Sequence, residues 1–313
     1  MKKFVIKLCV FIIVFLSIVI GLDYLSMTEQ YRMPLAKLTN SEDYISVNVG
    51  PDEIKPYIKK AGETNEYTQL IIGDSVCRQM FDGLQQYNSE ICILGSNGSV
   101  TMTGQYILAK LFIESHPETT DIWLIVLPTA LKGGFGLRYG YQYAVMPFVE
   151  TDTLQYLEQD TIDEMADIYG RFFLRKDVVY AIDRSGINRK IYLNALSKKE
   201  QVQGDEVGET SVLYICKIME LCEENDIRLH MLPGPVSDAN EDSEYMCELA
   251  KEYSISPLME MFPEYLNQIK YYPAEQFGDG LHFSGDYANQ QQYNKKIWEI
   301  YGESGLMEFL RTE

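Results

Sequence analysis

Four short apolar runs, Thr68–Ile72, Ile91–Leu94, Ile122–Leu127 and Ile227–Leu232, alternate along this chain with segments whose apolar residues recur at helical spacing. Ile122–Leu127 is apolar without interruption, which suits a strand buried on both faces. Strands alternating with amphipathic helices predict an α/β domain built on a parallel sheet. The helices are expected at about Cys77–Gln86, Thr103–Ile113 and Val212–Glu223, with a last one from about Tyr287 to Ile300. Pro128 stops the third strand, and Pro233-Gly234-Pro235 ends the fourth.

Between the third and fourth strands the alternation lapses over about residues 132–207. This stretch holds the aromatic, Gly-rich segment Gly133–Phe148 and a helical region around Leu154–Leu174. A connection this long is expected to be a lid or a subdomain, so we read it as a helical insertion.

The N-terminus follows a different pattern. Lys2 and Lys3 precede the apolar run Phe4–Leu22, which only Lys7 interrupts. The run is long enough to span a bilayer, and its cationic flank points to a cytoplasmic N-terminus. We read it as an uncleaved single-pass anchor in the cell membrane, with a cleaved signal peptide as the competing reading. The expected scheme is an anchor over 1–22, a juxtamembrane segment over 23–66 and an extracytoplasmic domain over 67–313. Five cysteines lie outside the anchor, without a CxxC pair, which favours buried free thiols over a disulfide framework. A net charge of −19 argues against a nucleic-acid partner, because phosphate contacts need clustered Lys and Arg.

Leu70-Ile71-Ile72-Gly73-Asp74-Ser75 is a buried strand that runs straight into a helix start. In an open α/β sheet, ligands bind beyond the carboxyl ends of strands. A serine at that helix N-terminus faces backbone N–H groups and the positive end of the dipole, which suit an oxyanion. The competing reading is that Asp74 or Ser75 only caps the helix. A nucleophilic serine needs a base, and Asp279-Gly280-Leu281-His282 supplies an imidazole with a carboxylate three residues before it. His116, in a polar loop, and His230, within the fourth strand, are expected to be structural or solvated.

Together these segments resemble the SGNH/GDSL hydrolase family. Gly73-Asp74-Ser75 matches its first block and Asp279-Gly280-Leu281-His282 its last, so the resemblance spans about residues 67–302. It implies a three-layer α/β/α, flavodoxin-like domain in which Ser75, His282 and Asp279 form the catalytic triad. It also implies that the Ser75 and Gly95 amides join the oxyanion hole. Where the family places an asparagine after its third strand, this chain has Leu127-Pro128-Thr129, so Asn97 or Thr129 is the expected substitute donor. One membrane segment on an exported domain of this type is similar in architecture to the D-alanyl-lipoteichoic acid biosynthesis and alginate O-acetylation proteins. That likeness implies an acylated cell-surface carbohydrate or polymer as substrate, and a membrane-bound O-acyltransferase as partner.

The expected function is therefore a serine esterase or O-acyltransferase that needs no metal or organic cofactor. The alternative is a non-hydrolytic accessory or binding protein that assists a membrane acyltransferase. Tyr139, Tyr141, Tyr143 and Phe148 either form a sugar-binding wall or pack the core, and Arg138 is placed to meet an anionic group or solvent. The acidic run Asp238–Glu244 lacks the glycine and spacing of a calcium loop.

Overall fold

The computed structural model describes residues 2–26, 28, 30–31, 54–81, 90–96, 101–132, 134–136, 140–184, 186–196, 208–239 and 265–284. The expected last helix, Tyr287–Ile300, lies outside the described residues. So do Asn97, Arg138, Tyr139 and the end of the Cys77–Gln86 helix.

The N-terminal helix α1 spans Lys2–Ser26, which at 1.5 Å per residue is about 37 Å long. Its best window has a mean hydropathy of 3.0 and its apolar side chains are exposed. It is long and apolar enough to cross a membrane, a description that a signal sequence also meets.

Four parallel strands form the main sheet, β1 (Gln69–Gly73), β2 (Ile91–Ile93), β3 (Asp121–Val126) and β4 (Arg228–Pro233), in the order β2-β1-β3-β4. Each lies within two residues of its expected position. β1 and β3 are buried along their whole length, and apart from Gln69 and Asp121 at their starts their side chains are apolar or absent. Their side chains alternate between two cores. Leu70, Ile72, Ile122, Leu124 and Val126 belong to one, with Tyr106, Ile107 and Phe112 of helix α3 and Tyr214, Ile215 and Ile218 of helix α4. Ile71, Trp123, Ile125 and Leu232 belong to the other, with Val76, Cys77, Met80 and Phe81 of helix α2. Helices α2 (Ser75–Phe81), α3 (Met102–Ser115) and α4 (Glu209–Glu224) follow β1, precede β3 and precede β4. Because β2 lies on one side of β1 while β3 and β4 lie on the other, the chain reverses direction at β1. In open α/β sheets such a reversal, at the carboxyl ends of the strands, is where ligands bind.

Between β3 and β4 the described chain is helical. It includes a π-helical turn at Tyr141–Val145 running into Met146–Glu150, and helices over Gln159–Tyr169, Lys176–Arg184 and Gly186–Leu196. The expected helical region Leu154–Leu174 is split into three pieces, ended in part by Gly170 at φ +91°.

Two features depart from expectation. A helix at Lys55–Ala61 places Ile54, Ile58 and Ala61 in the first core, so the domain begins before residue 67. A second small parallel sheet pairs Val236–Ser237 with Tyr271–Tyr272. Cys77, Cys92 and Cys222 are buried free thiols.

Candidate active site

Gly73 ends β1 in a place no other residue can occupy. A Cβ there would lie 2.0 Å from the Ile125 carbonyl oxygen and 2.4 Å from Cys77 Cβ. This close approach lets the chain turn at once into α2 beside the end of β3. Asp74 then secures the turn. Its Oδ1 accepts the amides of Val76 at 2.9 Å and Cys77 at 3.2 Å, and its Oδ2 accepts that of Leu127 at 2.8 Å. One carboxyl group thus caps the helix and ties it to the chain leaving β3. Burial pushes the Asp74 carboxyl above its ordinary pKa, against the opposing pull of those three amides and of His282. The cap is therefore Asp74, and the Ser75 hydroxyl is left for another partner.

That partner is His282. Its Nε2 lies 2.7 Å from Ser75 Oγ, although 207 positions separate the residues. On the other side of the ring, Nδ1 lies 2.8 Å from Asp279 Oδ2. Asp279 Oδ1 accepts the amides of Leu281 at 3.0 Å and His282 at 2.7 Å. Partial burial pushes the Asp279 carboxyl up, but the amide and ring N–H of His282 and the amide of Leu281 outweigh it. The group is held below the usual carboxylate range, so it is an acceptor at neutral pH. A carboxylate at Nδ1 places the imidazole proton there and leaves Nε2 free to accept the Ser75 hydroxyl proton.

The loop that carries these residues is a tight hairpin. Ser284 N donates to Gln276 O at 2.8 Å and Gly278 N to His282 O at 2.9 Å, around Gly280 at φ +81°. Phe283, Phe277 and Tyr272 anchor it in the core that also holds α2. A further contact was not foreseen. Gln79, four residues beyond Ser75, donates from Nε2 to Phe283 O at 2.9 Å, and Phe283 N donates to Gln79 Oε1 at 3.1 Å. Its spacing of one helical turn from Ser75 was the only signal in the sequence.

Gly95 lies beside the same helix turn. A Cβ on it would meet the Arg78 amide nitrogen at 2.7 Å and Cys77 Sγ at 2.9 Å, and Ser96 N donates to Gly73 O at 3.2 Å. Among the described residues, the amides of Ser75 and Gly95 have no hydrogen-bond partner. Thr129 is half-buried in the 3-10 turn after β3.

Tyr141 does not join the site. It is fully buried, its hydroxyl donates to Phe173 O at 2.9 Å, and its ring packs on Tyr169 and Tyr192. It is therefore a core residue and not part of a sugar-binding wall, and the same burial raises its phenol pKa. Phe148 is buried in the same core. His116 is buried, with Nδ1 2.9 Å from Phe112 O and Nε2 3.0 Å from Asn65 Oδ1. His230 lies 2.8 Å from Asp121 and stacks on Trp123. Among the described residues, no group of three or more His, Cys, Asp or Glu side chains is placed to hold a metal ion.

No family model, no curated protein and no solved structure matches the chain, so the geometry around Ser75 has to speak for its chemistry.

Proposed function

We propose that this chain is an extracytoplasmic serine esterase or O-acyltransferase of the SGNH/GDSL type, acting on acylated cell-envelope glycan or polymer. The observation that carries the reading is the continuous Asp279–His282–Ser75 chain of hydrogen bonds, assembled from two distant segments at the carboxyl end of β1. Ser75 Oγ attacks the acyl carbonyl carbon while His282 Nε2 takes its proton. The oxyanion that forms is held by the Ser75 and Gly95 amides. His282 returns the proton to the departing sugar oxygen, leaving an acyl-Ser75 ester. Water then releases the acyl group as acid, or a polymer hydroxyl accepts it, with His282 again acting as base. No step draws on a metal or organic cofactor.

The strand order β2-β1-β3-β4 supports a three-layer, flavodoxin-like domain, since it equals the first four positions of that arrangement. The helical chain between β3 and β4 reads as an insertion. Helix α1, behind Lys2 and Lys3, serves as a membrane anchor with the domain outside, beside a membrane-bound O-acyltransferase. The deciding experiment is turnover of a generic acetyl ester by the full chain in detergent micelles, with loss of turnover in Ser75→Ala.

One observation favours a second reading. The turn after β3 is Leu127-Pro128-Thr129, without the asparagine that would give a third oxyanion donor. Losing such a donor costs about 3–4 kcal/mol of transition-state stabilisation. A wild-type chain inactive on every acyl ester would favour a non-hydrolytic accessory protein.

A further inference from the structure

We propose that Gln79 is a positioning residue for the Ser75 site, fastening the loop that bears Asp279 and His282 onto the helix that bears Ser75. The inference rests on the reading of Ser75, His282 and Asp279 as a catalytic unit. Ser75 and Gln79 are four residues apart on α2 and so share one helix face. Their partners, His282 and Phe283, are consecutive in the loop. Helix and loop are therefore joined by two adjacent rungs, Ser75 to His282 and Gln79 to Phe283.

The second rung supplies something the others lack. The bonds from Asp279 close within its own loop, so they orient the imidazole relative to the loop and not relative to Ser75. Burial of Phe283 attracts the loop to α2, but apolar burial has no direction. A carboxamide has one donor end and one acceptor end. Gln79 engages both the C=O and the N–H of Phe283, which fixes how the preceding residue, His282, stands along the helix. A hydrocarbon side chain makes neither bond, and a carboxylate makes only one.

The test uses the full chain in detergent micelles with Gln79→Met, which keeps side-chain length and removes both bonds. kcat on an acetyl ester should fall about tenfold to a hundredfold while KM moves less than about twofold, as for misplaced catalytic groups. In a Ser75→Ala background the same change should leave the residual rate unaltered, because the loop then has nothing to align with. No loss in the wild-type background, or equal losses in both, overturns the proposal. A second readout does not need turnover. With three histidines in the chain, the Nδ1–H proton resonance of His282 can be identified by its absence in His282→Ala. That proton should exchange faster with solvent in Gln79→Met, and unchanged exchange in the folded variant overturns the proposal. If the wild type turns over no ester, the catalytic reading fails and the proton exchange alone decides Gln79. Should Gln79→Met not fold, Gln79→Glu keeps the acceptor for the Phe283 amide. It should show a smaller loss of the same kind, and wild-type behaviour in it overturns the proposal.

Discussion

Two Asp–His pairs stand at opposite ends of the main sheet. At the carboxyl end, His282 Nδ1 lies 2.8 Å from Asp279; at the amino end, His230 Nε2 lies 2.8 Å from Asp121. The contacts are equal in length, but the surroundings are not. Asp121 is shared with Arg228, and the His230 ring lies flat on Trp123, with centroids 3.8 Å apart. His282 keeps its second nitrogen on a serine hydroxyl at a helix start, next to amides with no partner among the described residues. A histidine–carboxylate contact by itself therefore does not make a site. What distinguishes the two is the surroundings of the ring, since the second nitrogen of His282 meets the Ser75 hydroxyl at the carboxyl end of β1.

The sharpest way to break this comparison is to remove each histidine in turn. On the proposed reading of the two residues as one catalytic unit, His282→Ala and Ser75→Ala should each lower kcat by about 10⁴-fold or more, with the double variant scarcely worse. His230→Ala should leave kcat within about twofold. Asp279→Asn should be milder than either single loss by about a hundredfold, since the misdirected imidazole remains a base. Steady-state kinetics on an acetyl ester checks all five variants, and a dead His230→Ala chain would erase the distinction.

Stability should reverse the ranking. The Asp121 side chain is only 4% exposed and bonds both Arg228 and His230. Asp121→Ala should cost about 1–3 kcal/mol in denaturant unfolding. Ser75→Ala should stay within about 0.5 kcal/mol, because a half-buried hydroxyl at a turn contributes little to packing.

The smallest effects concern pH. Burial pushes the Asp121 carboxyl up, but hydrogen bonds from His230, Arg228 and Thr120 outweigh it and hold the group low, as happens at Asp279. A depressed folded pKa stabilises the native state above the unfolded carboxylate value, and that stability is lost as pH falls through the folded value. Asp74 runs the other way. Burial raises its folded pKa, so its contribution is complete below the unfolded value and is lost as pH rises through the folded one. Unfolding of wild type and Asp121→Asn across the acid range should therefore converge as pH drops, whereas wild type and Asp74→Asn should diverge from the acid side upward.

Much of this protein could be read from its sequence because local rules were sufficient there. Strands buried in a parallel sheet are rich in apolar residues, so β1 to β4 were legible as short apolar segments between helices, although Arg228 and His230 interrupt β4, and α1 was legible by length and composition. The pairing of Ser75 with His282 and Asp279 was legible for a different reason, since a serine at a strand end and a histidine with a nearby carboxylate imply each other chemically. Only the tertiary structure decided that Asp74, and not Ser75, is the residue that caps α2. Asp74 and Asp279 look alike on paper, yet one caps α2 and clasps Leu127, while the other holds an imidazole. Gln79 was invisible because both its bonds go to the backbone of Phe283, and backbone partners leave no trace in residue types. Tyr141 had two open readings until burial chose between them, since an aromatic ring at helical spacing serves a core as well as a ligand wall. Ile54, Ile58 and Ala61 entered the core from a segment expected to lie outside it, because a helix of one to two turns is too short for periodicity to reveal. Sequence pattern reports what each segment does by itself, whereas long-range contacts depend on which distant segment arrives beside it.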